Sequence, residues 1–281
     1  MNDLVVTSPA NPRVKALLAL RKRRERDATG LTLVEGFEEL SLALACDVVP
    51  RTLVVCPDLF GPAGSAGGQD LGRPEDLVAA ARAAGAEVLT MGRAVFERVS
   101  YREGPDGLLG VVPLPGRRLD ALTLPPDPLV LVAQGLEKPG NLGALLRSAD
   151  AAGVDAVVAA DPVTDWGNPN VVRASKGAVF AVPVATATTQ DTIAWCRRHD
   201  ITILVTTPAA TELHTDVELT GALAIVVGAE KYGVDPVLSA AAQARIAIAM
   251  GGKVNSLNVS VAAAVVLYEA VRQRRSKRLH R

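Results

Sequence analysis

The chain has 281 residues, of which 49% are hydrophobic, and this length indicates two domains rather than one core. Basic and acidic residues number 30 each, which excludes a uniformly basic chain, so any surface for nucleic acid must be a local patch. The N-terminus lacks the pattern of a signal peptide and no apolar run reaches about 18 residues, so we expect a cytoplasmic, soluble protein.

Alternating strand and helix patterns predict an α/β protein with largely parallel sheets. The first domain, residues 1–112, is expected to begin with one helix over residues 11–26. Strand patterns follow at residues 31–34, 52–56, 87–90 and 108–112. The loop at residues 57–74 is rich in Gly, Pro and Ala, so we expect it to be exposed and mobile.

Residues 113–128 contain five prolines and predict an extended linker to a second domain at residues 129–281. Strand patterns there lie at residues 129–133, 155–160, 181–184, 201–206, 222–227 and 244–250. Several are near-continuous apolar runs, as in parallel strands buried on both faces. The last element, residues 258–275, is apolar on nearly every side and predicts a helix packed deep in this domain or in a subunit interface.

Positive charge is concentrated in two short segments. Residues 11–30 contain seven basic residues against Glu25 and Asp27, and residues 272–281 contain six basic residues and no acidic one. Such runs favour phosphate contacts with RNA or DNA, but a solvated helix face and a frayed tail would carry the same charges.

Several common sites are excluded by their motifs. Residues 228–233 have the two-glycine spacing of a phosphate loop, but Val234 and Asp235 replace the Lys and Ser or Thr that it requires. Residues 139–143 lack the third glycine of a dinucleotide fingerprint, and no Ser or Cys lies in a nucleophile elbow. The three cysteines and three histidines are scattered without metal-ligand spacing, so we expect no metal and no disulfide.

Three segments of the second domain do carry polar residues in suggestive positions. In residues 137–153, Asn141 is expected to cap a helix that ends at Gly153, with Arg147 off its core face. In residues 225–234, a buried strand breaks at Gly228, where we expect a ligand to approach the backbone closely, and Glu230 follows. Residues 246–260 predict a strand, a Gly-Gly loop and three polar residues before an apolar helix, although Ser256 and Asn258 also suit simple caps.

Taken in this order, the three segments resemble the SpoU/TrmH-type ribose methyltransferases of the SPOUT class. The first motif of that family, Asn-x-Gly-x-x-x-Arg, is matched by Asn141 to Arg147, and the second, Gly-x-Glu-x-x-Gly, by Gly228 to Gly233. The third is matched by Ser256-Leu257-Asn258-Val259-Ser260. Residues 173–178 and 33–36 resemble two further family segments, an intermediate arginine segment and the start of the substrate domain.

The resemblance implies transfer of a methyl group from S-adenosylmethionine to a ribose 2′-hydroxyl of structured RNA, without a metal. It also implies a trefoil knot, a homodimer built on the catalytic domain, and an N-terminal α/β domain similar to small ribosomal RNA-binding proteins. The expected cofactor-binding residues are Thr206, Thr207, Gly228, Ala229, Glu230, Ile248, Met250, Ser256, Leu257 and Asn258. The expected catalytic residues are Asn141, Arg147, Glu230, Ser256 and Asn258, and the expected RNA-binding residues are Arg13, Lys15, Arg21, Lys22, Arg23, Arg24, Arg147 and Arg173.

The arginine of the first motif has two conceivable roles. A guanidinium is effectively always protonated in proteins, so a general base is disfavoured, and we expect Arg147 to hold the RNA phosphate beside the target ribose. Alignment of the ribose oxygen opposite the sulfonium would then be the main contribution of the protein.

Three functions of different classes stay open on the sequence. The first is the RNA ribose methyltransferase, for which 23S ribosomal RNA is favoured over transfer RNA because of the separate N-terminal domain. The second is an RNA-binding or ribosome-assembly factor that has lost catalysis, and the third is a nucleotide-dependent metabolic enzyme. The sequence names neither the target nucleotide nor the choice between housekeeping and protection against a ribosome-directed antibiotic.

Overall fold

A computed structural model of the chain describes residues 5–61, 65–66, 69–70 and 72–279. The elements of its first part are α1 (Pro12–Ala19), α2 (Arg23–Thr29), β1 (Leu31–Glu35), α3 (Phe37–Ala45), β2 (Thr52–Val55), β3 (Ser65–Ala66), β4 (Gln69–Asp70), α4 (Pro74–Ala83), β5 (Glu87–Thr90), α5 (Arg93–Val99) and β6 (Leu108–Pro113). The later elements are β7 (Leu129–Gln134), α6 (Pro139–Ala152), β8 (Ala156–Ala160), α7 (Pro169–Ala174), α8 (Ala178–Ala181), β9 (Val184–Ala187), α9 (Thr189–Arg198), β10 (Thr202–Thr206), β11 (Glu212–Leu213), β12 (Leu223–Val227), α10 (Pro236–Ala241), β13 (Ala244–Ala247) and α11 (Val259–Leu279).

Contacts divide the chain into two compact units. The N-terminal unit consists of Met1–Pro115 and Asp165–Ala181, and the C-terminal unit consists of Gly116–Thr164 and Val182–Arg281. The sequence placed residues 165–181 in the second domain, but α7 packs on β1 and α8 packs on α3. The C-terminal unit is therefore interrupted in sequence by a segment that belongs to the other unit.

The N-terminal unit is built on a four-stranded sheet in the order β1-β6-β2-β5. The expectation of a largely parallel sheet is wrong here, because β6 runs antiparallel to both β1 and β2 and only β2 and β5 are parallel. Apolar patterning records which strands are buried but not their direction, so the sequence could not reveal this. The core of the unit includes Leu33, Val54, Phe96 and Leu109.

The predicted single helix at residues 11–26 is two helices, α1 and α2, with a break between them. The guanidinium of Arg26 donates to the carbonyl oxygens of Leu20 and Arg21 at 3.1 and 2.9 Å, which a continuous helix would use for its own backbone bonds. The same guanidinium forms a buried ion pair with Asp165, with a shortest N–O distance of 2.5 Å. Arg26 therefore belongs to the core of the unit and not to a solvated basic face.

The loop expected to be mobile, residues 57–74, contains a short 3-10 turn at Pro57–Leu59 and the strands β3 and β4. Its residues 62–64, 67–68 and 71 lie outside the described part of the chain. The predicted mobility of this loop stays a prediction.

The C-terminal unit contains a seven-stranded sheet in the order β11-β13-β10-β12-β7-β8-β9. All neighbouring strands described in this sheet are parallel, and β7, β8 and β12 are buried along their whole length, as their apolar runs predict. The strand predicted at residues 181–184 lies at β9 instead, because the preceding apolar residues form α8. The strand predicted at residues 244–250 ends at Ala247. The knot that the resemblance implies stays a prediction.

The proline-rich segment at residues 113–128 is not an extended linker. The backbone N–H of Arg117 donates to the carbonyl of Val184 at 2.8 Å, and a 3-10 turn follows at Leu119–Ala121. Leu119 and Leu122 are buried in the core of the C-terminal unit. This part of the segment is therefore packed structure.

The last helix, α11, packs through one face only. Its buried residues are Val259, Ala263, Val266, Leu267 and Ala270. Val261 and Tyr268, which are seven residues apart and so lie on one face, are 48% and 50% exposed. An apolar strip of this helix is thus open to solvent in the single chain.

Candidate active site

A pocket lies at the edge of the seven-stranded sheet where the carboxyl ends of the strands meet. In open parallel sheets this edge is the usual place for a ligand. Its lining residues come from the loops after β10, β12 and β13 and from the start of α11, and they are Thr206, Thr207, Pro208, Val227, Gly228, Ala229, Glu230, Gly233, Val234, Ile248, Met250, Asn255, Ser256, Leu257, Val259 and Ala262. Every residue predicted to bind the cofactor is in this lining except Asn258, which lies in the adjoining hydrogen-bond network.

One carboxylate connects the three sequence motifs. Oε1 of Glu230 accepts from Nδ2 of Asn141 at 2.9 Å and from Nδ2 of Asn258 at 3.1 Å. Nδ2 of Asn258 also donates to Oδ1 of Asn141 at 3.2 Å, which closes a triangle of side chains. Residues 89 and 117 positions apart in sequence are thereby joined in a single polar cluster at the pocket wall.

The second oxygen of the same carboxylate is held by a residue that sequence reasoning missed. Nζ of Lys138 lies 2.5 Å from Oε2 of Glu230. The hydrogen bond from Lys138, followed by that from Asn141, lowers the pKa of the Glu230 carboxyl, and the same contact raises the pKa of Lys138. Glu230 is therefore an ionised acceptor of three hydrogen bonds and not a proton donor near neutral pH. No pattern in the sequence pairs Lys138 with a carboxylate 92 residues away.

Asn141 does not cap its helix, contrary to expectation. The helix α6 begins two residues earlier, with Pro139 in its first turn and Lys138 at the N-cap. Proline is favoured in the first turn because a backbone N–H at that position would have no acceptor within the helix, so its absence costs no hydrogen bond. The side chain of Asn141 is consequently free to bind Glu230 across the cluster.

Gly228 is required by the close packing of its own loop. A Cβ atom at this position would lie 2.2 Å from the carbonyl oxygen of Gly233 and 2.5 Å from the backbone nitrogen of Val234. The loop closes with a hydrogen bond of 2.8 Å from the N–H of Gly233 to the carbonyl of Ala229. The loop itself therefore requires glycine at this position, and because Gly228 also lines the pocket, the approach of a ligand to its backbone stays a prediction.

Asn258 both starts α11 and belongs to the polar cluster. Its Oδ1 accepts from the backbone N–H of Ser260 at 3.0 Å, as an N-cap does, while its Nδ2 donates to Glu230. Asn258 therefore caps the helix and also belongs to the polar cluster, while its role in cofactor binding and catalysis stays a prediction. Ser256 is exposed and lies in the pocket lining without a capping contact among the described residues.

The pocket also contains an unused hydrogen-bonding group. Oγ1 of Thr206 is buried and has no partner among the residues that the structure describes. The remaining wall is mostly apolar, and Glu230 supplies one negative charge at its edge. An apolar wall, an unpaired hydroxyl and a carboxylate suit S-adenosylmethionine, which carries an adenine ring, a polar ribose and two cationic centres.

The two arginines of the family-like segments are both exposed but belong to different units. Arg147 lies on α6 in the C-terminal unit and makes no hydrogen bond or ion pair with any residue in the described part of the chain. Arg173 lies on α7 in the N-terminal unit. Arg147 thus presents a guanidinium that is open to an external anion.

The basic run of the N-terminal unit is only partly available to RNA. Arg13 forms an exposed ion pair with Glu87, with an N–O distance of 2.5 Å. The guanidinium of Arg21 donates to the three backbone carbonyls of residues 98–100 at 2.7 to 3.3 Å. Arg21 therefore holds the end of α5 and is a structural residue.

The other members of the run are exposed. Arg23 contacts Asp27 at 3.6 Å on the same helix. Lys15, Lys22 and Arg24 have no ion-pair partner within the described ranges. These three side chains are the part of the run that is free to contact phosphates.

Residues 33–36 resemble the start of the family's substrate domain; the first three form the end of β1, and Gly36 precedes α3. Glu35 is fully buried and accepts hydrogen bonds from the backbone N–H of Tyr101 at 2.8 Å and from the hydroxyl of Ser100. Burial raises the pKa of this carboxyl. The carboxylate fastens residues 100–101 to the sheet, which is a structural role.

Cys56 and Cys196 are buried, as expected for small hydrophobic residues, whereas Cys46 is half-buried. Within the described ranges, no group of three or more His, Cys, Asp or Glu side chains is placed to hold a metal ion. Among the helices described, none has the length and apolar character needed to cross a membrane.

Family profiles match most of the chain. The profile of the SpoU rRNA Methylase family matches residues 128–268, half of the chain, and that of the MRM3-like substrate binding domain matches residues 11–110. The 23S rRNA (guanosine-2'-O-)-methyltransferase RlmB of Ralstonia nicotianae is 35% identical over 214 residues, which cover 72% of this chain and 83% of the relative.

Two solved structures are similar over nearly the whole chain. A crystal structure of an RNA 2'-O ribose methyltransferase has a TM-score of 0.80 at 38% identity and covers 96% of this chain and 99% of its own. An AdoMet-bound rRNA methyltransferase from Sinorhizobium meliloti has a TM-score of 0.83 at 30% identity and covers 96% and 97%. With its motifs, sheet and pocket in this arrangement, the chain belongs to the SpoU rRNA methylase family.

Proposed function

We propose that this protein transfers a methyl group from S-adenosylmethionine to a ribose 2′-hydroxyl of ribosomal RNA, and that its target is a nucleotide of 23S rRNA. The observation that carries the proposal is the joining of Asn141, Glu230 and Asn258 by direct hydrogen bonds beside the pocket. Relatives named as 23S rRNA guanosine 2'-O-methyltransferases support the choice of substrate.

The pocket residues would hold the cofactor in the following way. The apolar side chains of Ile248, Met250 and Leu257 would cover its adenine ring, and Thr206 Oγ1 would gain the hydrogen bond that it lacks. The ionised Glu230 would attract the positive charges of the cofactor. When bound, the cofactor supplies an electrophilic methyl group on a sulfonium.

The residues around the pocket would position the ribose. We assign Arg147 to the RNA phosphate next to the target ribose, because its guanidinium is exposed and unpaired in the described part of the chain and is an unlikely proton acceptor. Ser256, exposed at the pocket, would hydrogen-bond the ribose hydroxyl. Asn141, Glu230 and Asn258 would keep the first, second and third motifs in register with one another.

The N-terminal unit would bind the surrounding RNA. Its exposed cations Lys15, Lys22, Arg24 and Arg173 suit phosphate contacts, and their loss should weaken RNA binding and flatten its salt dependence. Arg21 is left out of this set because it bonds the backbone of residues 98–100.

We extend the proposal to assembly and biological setting. The exposed strip of α11 with Val261 and Tyr268 is offered as the contact of a homodimer, since an apolar strip on a helix favours a partner surface. The cytoplasm, where ribosomal RNA is modified, is the proposed location. Susceptibility of a deletion strain to ribosome-directed antibiotics distinguishes a protective role from housekeeping.

The test replaces Arg147 with Ala and measures methyl transfer to unmodified 23S rRNA with tritiated S-adenosylmethionine. We expect a loss of about 100-fold or more in kcat/KM for RNA with unchanged cofactor affinity, because misplacing the reacting groups is costly. Arg197→Ala is the matched control, since Arg197 is an exposed arginine on α9 in the same unit. A near wild-type rate for Arg147→Ala with cofactor bound would show that the assignment is wrong. Absence of cofactor binding by the wild-type protein would refute the proposed function itself.

A further inference from the structure

The loop between Gly228 and Gly233 exposes an aromatic ring beside the pocket. Tyr232 is 72% exposed, more than Tyr268 at 50%, while Tyr101 is half-buried against the core of the N-terminal unit. Four residues of the same loop line the pocket, namely Gly228, Ala229, Glu230 and Gly233. A large aromatic ring exposed next to a binding site offers a face on which a nucleobase can stack.

The base of this loop is firmly held, although its tip is exposed. Glu230 is bound by three side-chain donors, and the N–H of Gly233 bonds the carbonyl of Ala229. The approach of Gly233 to Gly228 leaves no room for even a methyl group between them. The tip residues Lys231 and Tyr232 are therefore presented on a fixed support, which lowers the entropy lost on binding.

The tip pairs a cation with the ring. Nζ of Lys231 lies 4.9 Å from the centroid of Tyr232, within the range of a cation–π contact. Lys231 forms no ion pair with any carboxylate in the residues described. An open aromatic face stacks with a nucleobase, and the adjacent ammonium group suits a phosphate, so the pair matches the two parts of a nucleotide.

We propose that Tyr232 and Lys231 form a platform for a nucleotide of the RNA substrate, with the base stacked on the ring of Tyr232 and a phosphate bound by Lys231. This inference rests on the proposed function, because it supplies the contact that would hold an unpaired base next to the methylation pocket. Structured RNA is recognised largely through unstacked bases of this kind in loops and bulges.

A second copy of the chain is the competing occupant of this tip. The centres of protein interfaces are depleted in lysine and glutamate, and here Lys231 follows Glu230 directly and projects with Tyr232. The neighbouring charge therefore favours a polyanion over a second protein surface. The oligomeric state of the variant decides between the two.

The experiment compares Tyr232→Ala, Tyr232→Leu and Tyr232→Phe in the full chain, with in vitro transcribed 23S rRNA as the probe. We expect Ala and Leu to raise the KM for RNA by roughly 5- to 150-fold, the range that loss of one base–aromatic stack corresponds to. Tyr232→Phe keeps the aromatic ring, so its KM for RNA should stay close to that of the wild type. Lys231→Ala should weaken RNA binding and reduce the slope of RNA affinity against salt concentration by about 1, the loss expected for one phosphate contact.

Controls separate this inference from the function on which it rests. Val237→Ala removes a comparably exposed apolar side chain, 52% exposed on α10, and should keep the wild-type KM. Cofactor affinity, measured by calorimetry, should be the same in every variant. A wild-type KM for Tyr232→Ala or Tyr232→Leu would overturn the inference while leaving the methyltransferase intact. So would a Tyr232→Ala protein that sediments at half the mass of the wild type.

Discussion

Replacing Gly228 with Ala adds a single methyl group at the most crowded point of the pocket wall. The added Cβ would lie 2.2 Å from the oxygen and 2.3 Å from the carbon of the Gly233 carbonyl, whereas ordinary contacts begin near 3.4 Å. These are backbone atoms that cannot rotate away, so one side of the loop must retreat by about 1 Å. Overpacking of this kind costs about 1–3 kcal/mol of folding free energy.

The same displacement would move Glu230, two residues further on, out of its three hydrogen bonds. A misplacement of about 1 Å can cost about 100-fold in rate, so we expect kcat/KM to fall by that factor and cofactor affinity to fall with it. Thermal unfolding measures the loss of stability, calorimetry with S-adenosylmethionine measures the cofactor affinity, and single-turnover methylation measures the rate. Gly140→Ala is the matched control, because no atom lies within 4 Å of a Cβ built there. If Gly228→Ala binds cofactor as the wild type does, the loop is softer than these contacts require and the argument fails.

Two further predictions concern charged pairs. Arg26→Ala should destabilise the N-terminal unit by about 3–5 kcal/mol in denaturant unfolding, because it leaves the Asp165 carboxylate without the guanidinium of its buried ion pair. Arg13→Ala removes an exposed ion pair of the same 2.5 Å length and should cost less than about 1 kcal/mol. Equal losses of stability in the two variants would contradict the role given to burial. Lys138→Ala removes the hydrogen bond that contributes most to the lowered pKa of Glu230, so Glu230 should protonate at a higher pH. The acid limb of the pH profile of kcat/KM should then move to higher pH. An acid limb that does not move would mean that protonation of Glu230 does not control it.

The sequence predicted the C-terminal sheet and its pocket well for a definite reason. Strands that are buried on both faces consist of continuous apolar runs in the sequence. The runs at residues 129–133 and 222–227 correspond to β7 and β12 within one residue at each end. Because the carboxyl ends of parallel strands share one edge, the residues that follow them are brought together. The residues predicted for the cofactor therefore lie along one pocket, although their roles stay predictions.

The failures have equally definite causes. The break at residues 20–22 depends on the guanidinium of Arg26 and on Asp165, which is 139 positions away, so no local pattern could show it. The segment Asp165–Ala181 lies between two strands of the C-terminal sheet in sequence but packs in the N-terminal unit. Lys138 was missed because its partner Glu230 is 92 positions away in sequence. Each of these three errors concerns a contact between residues far apart in sequence, which hydrophobic periodicity does not record.

The polar cluster at the pocket explains how an enzyme can combine a fixed site with a low cost of desolvation. Glu230, Asn141 and Asn258 lie at the surface end of the strands and not in the core, so their hydrogen bonds are formed without burying an unpaired charge. Lys138 pairs with the carboxylate, and Arg147 is a separate cation without a carboxylate partner among the described residues. An anion arriving at Arg147 then meets no competing carboxylate on that guanidinium. The arrangement favours binding of a phosphate at Arg147, while the pocket wall is held by the Glu230 carboxylate and the amides of Asn141 and Asn258.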